Sequence, residues 1–486
     1  MSKKNKEIYD HHTFISPFTW RYGSEEMRNV FSEITTRSYW RQIWSLLAEA
    51  QVEYGLVTEE ESKDIKSKVN NIDLIRSHEI EEEIKHDIMA EIKAYAEQTS
   101  IGGKKIHLGA TSADIEDNVE IIKFLKATDI ILTRLVNCLN SMRSNILKYS
   151  DLTCMGWTHI QPAEPTTLGY RFASYAQDLL LDIINIETLR EKFIKGKGLK
   201  GAVGTSASYK NLLKEKGEPR DLENKVMNKL GLDVFQITSQ TYPRKVDLLI
   251  LSALSSIAQS AHKFSLDLRI FQSPLFGELS EPISKSQVGS STMAFKQNPV
   301  KSERICSLAR YVSALPVVSF MNASLSIFER TLDDSANRRI ILPESFLSID
   351  ECLILYQQIS KNIVVNINVI KKNLSKFGIF AGTEALMFEL VKKGENRQKI
   401  HELIREYSFK AWDEIKKGNA NPLKDLIKND KKISKLINKS ELDKILNPVN
   451  YTGDASIRAQ RFVKDSLDPV LLKYSSRLDN KTNTRF

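Results

Sequence analysis

The segment from 246 to 273 limits the folds open to this chain more than any other. It contains neither glycine nor proline, and its apolar residues recur at alternating steps of four and three, at Ile250, Leu254, Ile257, Ala261, Phe264, Leu268 and Phe271. This spacing places them on one face of an α-helix that is longer than the average globular helix. The segment therefore predicts a long helix that packs along a seam of other helices.

Four further segments have helical patterns of similar length. Two carry apolar stripes, over Ile121–Ile146 and Leu168–Phe193, and two more lie near Glu303–Phe320 and Pro343–Val365. Together the five segments predict an all-α fold built on a core bundle of five long helices. The flanking regions are also helical in pattern and rich in charge, so we expect smaller helical domains at each end. The expected division is 1–111, 112–364 and 365–486.

The predicted helices carry more apolar surface than one seam covers. Ile122, Phe124, Ile130 and Ile131 lie off the seam of the second helix. Helices of this kind bury too little apolar surface alone, so we expect the chain to associate with other subunits.

Composition narrows the range of partners. A formal net charge of +9, from 70 Lys and Arg against 61 Asp and Glu, would suit an anionic partner such as nucleic acid, a membrane surface or a phosphorylated metabolite. Most lysines are scattered among Glu and Asp residues, as on a solvated helix surface, so a nucleic-acid partner is not expected. The apolar stretch 248–261 is shorter than the roughly 20 residues of a membrane span, so no membrane partner is expected either.

The cysteines and the N-terminal residues give information about the cellular compartment of the protein. The four cysteines form no Cys-x-x-Cys pair, so neither a metal site nor a dense disulfide framework is predicted. The charged N-terminal residues are followed by no apolar core, which argues against a secretory signal. We expect a cytoplasmic protein.

The segment from 289 to 303 has the pattern of neither a helix nor a strand. Gly289, Ser290 and Ser291 leave backbone amides and hydroxyls uncovered, while Lys296 and Asn298 add a cation and an amide donor. Such a set of groups can bind a carboxylate. An ordinary turn would explain the first three residues alone, but not the longer pattern.

Four other segments carry more polar residues than a helical scaffold needs: Lys85-His86-Asp87 in a charged helix, Thr111-Ser112, the break Thr158-His159-Ile160-Gln161, and Phe328 to Arg339. A surface histidine would explain His86, and a helix cap would explain Thr111. His159 differs because it lies between two long helices, where loops on a rigid scaffold tend to carry function. Residues 196–201 match G-x-G-x-x-G, but they follow a helix rather than a strand and predict only a connection.

Seven motifs follow one another along the chain: Arg21-Tyr22 and the motifs at 85–90, 107–112, 158–163, 240–247, 289–303 and 328–339. In this order they resemble the motifs of the adenylosuccinate lyase family of the fumarase/aspartase superfamily. The resemblance runs from about residue 16 to 470, and the last motif separates this family from fumarases and argininosuccinate lyases. One departure is Ala294, where the superfamily usually has proline.

The resemblance implies elimination of fumarate from adenylosuccinate, giving AMP, and from succinyl-aminoimidazole carboxamide ribotide in purine synthesis. It implies that His159 is the acid for the leaving nitrogen, that Ser290 is the base, and that Lys296 stabilises the dianionic intermediate. It assigns the phosphate to Arg21, Tyr22, Arg330, Ser335 and Arg339. It assigns the succinyl carboxylates to Thr111, Ser112, Gln240, Lys296 and Asn298, the nucleotide to Lys85, His86 and Asp87, and loop closure to Arg304.

The resemblance also implies small-molecule nucleotide substrates and a homotetramer whose active sites gather loops from three subunits. No step of the reaction requires a metal or another cofactor, so none is expected. Two alternatives stay open at this point: another fumarate-releasing lyase such as argininosuccinate lyase, and a catalytically silent helical scaffold.

Overall fold

The computed structural model describes residues 12–283 and 291–478. The first helices are α1 (Glu25–Val30), α2 (Glu33–Val52), α3 (Glu59–Ser67), α4 (Leu74–Ile84) and α5 (Asp87–Glu97). The middle contains α6 (Ser112–Lys148), β1 (Thr153–Thr158), β2 (Gln161–Thr167), α7 (Leu168–Lys192), α8 (Ala207–Leu213), α9 (Pro219–Leu230), α10 (Lys245–Gln272), β3 (Leu279–Ser280), α11 (Val300–Ser324), α12 (Ser335–Lys361) and β4 (Val364–Val365). The last helices are α13 (Ile367–Phe377), α14 (Gly382–Lys392), α15 (Arg397–Lys416), α16 (Leu423–Asn429), α17 (Lys431–Leu436), α18 (Lys439–Ile445), α19 (Ala455–Phe462) and α20 (Asp468–Lys473).

The predicted all-α bundle of five long helices is confirmed by α6, α7, α10, α11 and α12. The helix predicted over 246–273 is α10, and all seven of its regularly spaced apolar residues are buried. The bundle is built from direct contacts of α6 with α7 and α12, and of α10 with α7, α11 and α12. The strands described are short and form two antiparallel pairs, β1 with β2 and β3 with β4.

The fifth helix differs from its prediction at both ends. It begins at Ser335 rather than at Pro343, and residues 364–365 leave it to pair with β3. Proline usually stops a helix because it donates no amide hydrogen bond. Here the helical turns before Pro343 are stabilised by contacts with other parts of the chain, since Arg338 Nε lies 2.7 Å from Asp247 Oδ2 and Leu342 is buried.

The argument for association from Ile122, Phe124, Ile130 and Ile131 was wrong. All four residues are already buried within the single chain, because α6 is covered by α1, α2 and the C-terminal helices α19 and α20 as well as by α7 and α12. Exposed apolar side chains lie instead on α11, at Val317, Phe320 and Met321. Among the described helices, α11 alone is long and apolar enough for a membrane span, and it packs against α10 and α12 in the bundle.

The long helices give the bundle two distinct ends. The helices α6 and α12 run in the same direction, since Arg134 pairs with Asp350 and the Asn145 amide donates to the Ser360 carbonyl. The start of α10 lies beside the start of α12, where Arg244 pairs with Asp334. We call this the cleft end. The hairpin formed by β1 and β2 follows the last residue of α6 and marks the other end, the hairpin end.

The C-terminal region divides between two cores. Residues of α14 to α18, including Leu386, Ile400, Ile427 and Leu442, form a separate apolar core. Ala459 of α19 and Leu471 of α20 belong instead to the core of the bundle. The domain division at 112 and 364 stays a prediction.

Candidate active site

A cleft with a cavity volume of about 870 Å³ opens at the cleft end, between α2, α4 and α5 on one side and the first turns of α6 and α12 on the other. Its walls are rich in charged side chains of both signs. Five of the predicted substrate-binding residues line it, and they are Lys85, Asp87, Arg330, Ser335 and Arg339.

The motif at 85–87 is a break between two helices, not part of one charged helix as predicted. Lys85 ends α4 in the left-handed conformation with φ of 56°, and His86 is the extended residue that precedes α5. The break turns Asp87 toward α12, where its carboxylate lies 2.8 Å from Arg339 Nη2. Burial raises the pKa of Asp87, but hydrogen bonds from Arg339 and the Ile88 amide outweigh it and hold the pKa below its usual value.

Neighbouring arginines at the start of α12 have different environments. Both line the cleft, but the Arg338 side chain is 10% exposed and bonds to Asp247 and to the Tyr242 hydroxyl, whereas the Arg339 side chain is 67% exposed. Arg338 therefore serves the fold, while Arg339 is available to a ligand that can displace Asp87.

A buried network supports the cleft floor, and the sequence analysis assigned no role to three of its members, Asp117, Arg244 and Asp334. Arg244 lies 2.8 Å from Asp334 and 3.1 Å from Asp117, and Asp334 also accepts from Arg330 at 3.0 Å. Arg244 stands in the 240–247 motif, which was the available signal. The network fixes Arg330 and joins the first turns of α6, α10 and α12.

Glu116 is a cleft residue that the sequence analysis did not single out. It lies on α6, one turn after Ser112, and no hydrogen bond to its carboxylate is found in the described ranges. Burial, followed by the charges of Asp87 and Asp117, raises the pKa of Glu116 to about 7, against the opposing effect of Arg339. An acidic group whose pKa is raised toward neutrality thus lines the cleft.

Thr111 and Ser112 lie at the start of α6, near the cleft, and they do not line it. Thr111 forms a capping box with Asp114, whose carboxylate accepts from the Thr111 amide at 3.1 Å. The buried Asp114 also pairs with Lys197 and accepts from the amides of Lys200 and Gly201. The G-x-G-x-x-G segment is therefore a connection, as predicted, and its donors hold the first turn of α6.

Gln240 lies on the segment before α10. Its backbone amide donates to the Glu329 carbonyl at 3.2 Å, which connects the 240–247 motif to the residue next to Arg330.

Arg21, Tyr22 and Arg304 form a different group: the Arg304 guanidinium lies 5.8 Å from the Tyr22 ring centroid and 3.1 Å from Glu351. Glu351 is 16 residues after Ser335 on α12, which corresponds to roughly 24 Å along the bundle.

His159 is exposed at the tip of the hairpin, in a tight turn rather than in an irregular break. Thr158 pairs with Gln161, so His159 and Ile160 form a two-residue turn, and both have positive φ, 54° and 60°. Turns of this kind normally use asparagine and glycine. A β-branched residue with positive φ is strained, and such strain is concentrated at functional sites.

The polar segment 289–303 is described only in part, and the predicted base Ser290 lies outside the described residues. Lys296 is exposed, and Asn298 lies just before α11, which begins at Val300. Glu281 is buried beneath this point and accepts from the amides of Lys301 and Ser302.

One chain does not bring all the predicted residues together. The 37 residues of α6 span roughly 55 Å, with Ser112 at one end and the His159 hairpin beyond the other. Arg21, Tyr22 and Arg304 lie between the two ends. No group of three or more His, Cys, Asp or Glu side chains in the described ranges could hold a metal ion.

Comparison with known proteins gives a consistent result. The family described as Lyase matches residues 8–313, and the family described as Adenylosuccinate lyase C-terminus matches residues 380–462. The chain is 38% identical to the adenylosuccinate lyases of Schistosoma mansoni and Saccharomyces cerevisiae, each match covering 97% of this chain and 98% of the relative.

Solved structures agree with the fold. A fumarate lyase from Mesorhizobium sp. BNC1 superposes with a TM-score of 0.79 at 21% identity, over 91% of this chain and 98% of that one. The 3-carboxy-cis,cis-muconate lactonizing enzyme of Pseudomonas putida superposes with a TM-score of 0.81 at 22% identity, over 93% and 99%. At these identities the likeness concerns the fold. From the full-length sequence matches, the chain belongs to the adenylosuccinate lyase family.

Proposed function

We propose that this protein is an adenylosuccinate lyase that releases fumarate from adenylosuccinate, leaving AMP, and from succinyl-aminoimidazole carboxamide ribotide. The observation that carries the proposal is the cleft, in which Lys85, Arg330 and Arg339 surround a volume that suits a nucleotide. Relatives of this activity match nearly the whole chain.

The cleft suits the phosphate end of such a substrate. Arginine binds phosphate oxygens through two parallel donors. Arg339 pairs with Asp87, and Arg330 pairs with Asp334. A phosphate dianion carries more charge than either carboxylate, so it competes for both guanidinium groups. Ser335 adds a hydroxyl donor at the same wall.

The elimination requires groups outside the cleft. A base removes a proton from the carbon next to a succinyl carboxylate, the C–N bond breaks, and an acid protonates the leaving nitrogen. We assign the base to Ser290 and the acid to His159. Lys296 and Asn298 stabilise the negative charge that develops on the carboxylate. The exposed position of His159 leaves its ring open to a substrate.

These assignments require several chains in one active site. The cleft and the hairpin tip lie at opposite ends of the roughly 55 Å helix α6, so His159 cannot reach the cleft of its own chain. We therefore propose a homotetramer in which each active site takes the cleft from one subunit and the hairpin from another. The exposed apolar residues of α11 support an interface along the bundle.

The test is an absorbance assay of adenylosuccinate conversion, with argininosuccinate, aspartate and malate as competing substrates for fumarate release. Among these four compounds we expect turnover of adenylosuccinate only. We also expect His159→Ala to lower kcat by about 10², because a general acid contributes on that scale. Ile160→Ala is the matched control at the same turn. Fumarate release from another of these substrates, with none from adenylosuccinate, would refute the proposal.

A further inference from the structure

The segment that joins α10 to α11 is held at two points by one side chain. Gln272, the last residue of α10, accepts from the Glu281 amide through Oε1 at 3.0 Å and donates to the Gln297 carbonyl through Nε2 at 3.0 Å. Glu281 directly follows β3, and Gln297 lies three residues before α11. The two bonds therefore fix these two backbone positions relative to each other.

Glu281 continues this connection into α11. Its side chain is 1% exposed, and its carboxylate accepts from the Lys301 amide at 3.1 Å, the Ser302 amide at 3.0 Å and the Ser302 hydroxyl at 3.0 Å. The first turn of α11 has no capping side chain of its own, since Pro299 occupies the N-cap. A distant carboxylate thus satisfies the amides that a local cap would normally satisfy.

The arrangement bears on two residues of the proposed site. Lys296 precedes Gln297, and Asn298 follows it, so both lie within one residue of a point that Gln272 holds. The side chains of residues 291–297 are exposed, and burial therefore does not fix their position. Misplacement of a reacting group by about 1 Å can lower a rate by about 10².

We infer that Gln272, together with Glu281, is a positioning residue that sets where Lys296 and Asn298 stand relative to α11. Neither residue touches the reacting atoms in this account. The expected effect of Gln272 on turnover rests on the proposed function. Its expected effect on the backbone of residues 291–300 does not.

Gln272→Ala tests this inference, because Gln272 is partly exposed and its loss leaves the bundle core intact. Gln272→Glu is the second variant, since it keeps the acceptor for the Glu281 amide and lacks the donor for the Gln297 carbonyl. Gln297→Ala is the matched control, because the Gln297 carbonyl remains in place.

The first readout is amide hydrogen exchange of the intact protein over residues 291–300. We expect exchange there to rise about tenfold in Gln272→Ala and Gln272→Glu, and to stay at the parent value in Gln297→Ala. The second readout is steady-state kinetics with adenylosuccinate, in which kcat falls about tenfold or more and KM changes less than threefold in both Gln272 variants.

The outcomes separate the two proposals. Exchange and kcat equal to those of Gln297→Ala would overturn the inference, and so would an exchange increase spread evenly over the bundle. A parent protein without turnover would overturn the proposed function, while the exchange measurement would still decide the role of Gln272.

Discussion

At the scale of residues, identical side chains next to each other have different roles that only their surroundings reveal. The segment from Phe328 to Arg339 was singled out as more polar than a helical scaffold needs, and the family resemblance assigned Arg339 to the phosphate. It could not show that Arg338 is buried against Asp247, because that contact joins residues 91 apart in the chain. Glu116 could not be assigned either, since its raised pKa depends on burial in the folded chain and then on the charge of Asp87 from a different helix.

The two arginines give a matched pair of variants. Arg338→Met should lower the free energy of unfolding by about 3–5 kcal/mol, because it leaves the buried Asp247 carboxylate with the Tyr242 hydroxyl but without the cation that pairs with it. Arg339→Met should change it by less than about 1 kcal/mol, since its pair with Asp87 is exposed on one side. We expect the second variant to lower kcat/KM for adenylosuccinate by about 10². Urea unfolding and steady-state kinetics measure both effects, and equal losses of stability would contradict the assignment.

Glu116 predicts a pH dependence of stability. Its pKa is about 7 in the folded protein, above the ordinary value of 4.5. The unfolded chain therefore releases the proton first as pH rises, and this carboxyl lowers stability progressively between about pH 4.5 and 7. Glu116→Gln should accordingly stabilise the protein by about 1–3 kcal/mol more at pH 8 than at pH 5, allowing for partial exposure.

Urea unfolding of the parent and of Glu116→Gln at both pH values measures this difference. Glu120→Gln is the control on the same helix, one turn further on, where Glu120 pairs with Lys123. A stability difference between Glu116→Gln and the parent that is equal at pH 5 and pH 8 would show that the Glu116 carboxyl does not titrate in this range.

At the scale of elements, apolar periodicity predicted the long helices well and the local geometry of the site poorly. The seam of α10 follows from spacing alone, because burial on one helix face imposes it. The hairpin around His159 was predicted only as a break, since Thr158 to Gln161 contains none of the asparagine or glycine that two-residue turns normally use. The break at Lys85 was missed because its left-handed residue is a lysine.

The hairpin turn predicts an unusual effect of glycine. Ile160 has a φ of 60°, which a β-branched residue adopts at a free-energy penalty of about 1–2 kcal/mol. Ile160→Gly should therefore raise the free energy of unfolding by about 1 kcal/mol relative to Ile160→Ala, which removes the same exposed side chain and retains Cβ. Urea unfolding of both variants measures this difference. Equal stability of the glycine and alanine variants would mean that the turn is unstrained.

At the scale of the whole molecule, the fold supports the proposal that each active site draws on more than one chain. The long helices that give the bundle its rigid core also separate the cleft from the hairpin tip by roughly the length of α6. The sequence analysis anticipated association from apolar residues that are in fact buried within the chain. The proposal of shared active sites rests instead on this distance and on the exposed apolar residues of α11.

The most direct test of the shared active site combines two variants that are each nearly inactive, His159→Ala and Arg339→Ala. They are mixed in equal amounts, dissociated and reassembled, and adenylosuccinate conversion is measured. If each site takes residue 159 from one subunit and residue 339 from another, random reassembly leaves about one quarter of the sites intact. We predict recovery of about one quarter of the parent activity. A mixture no more active than the separate variants would contradict the account, because it would mean that each site takes both residues from one chain.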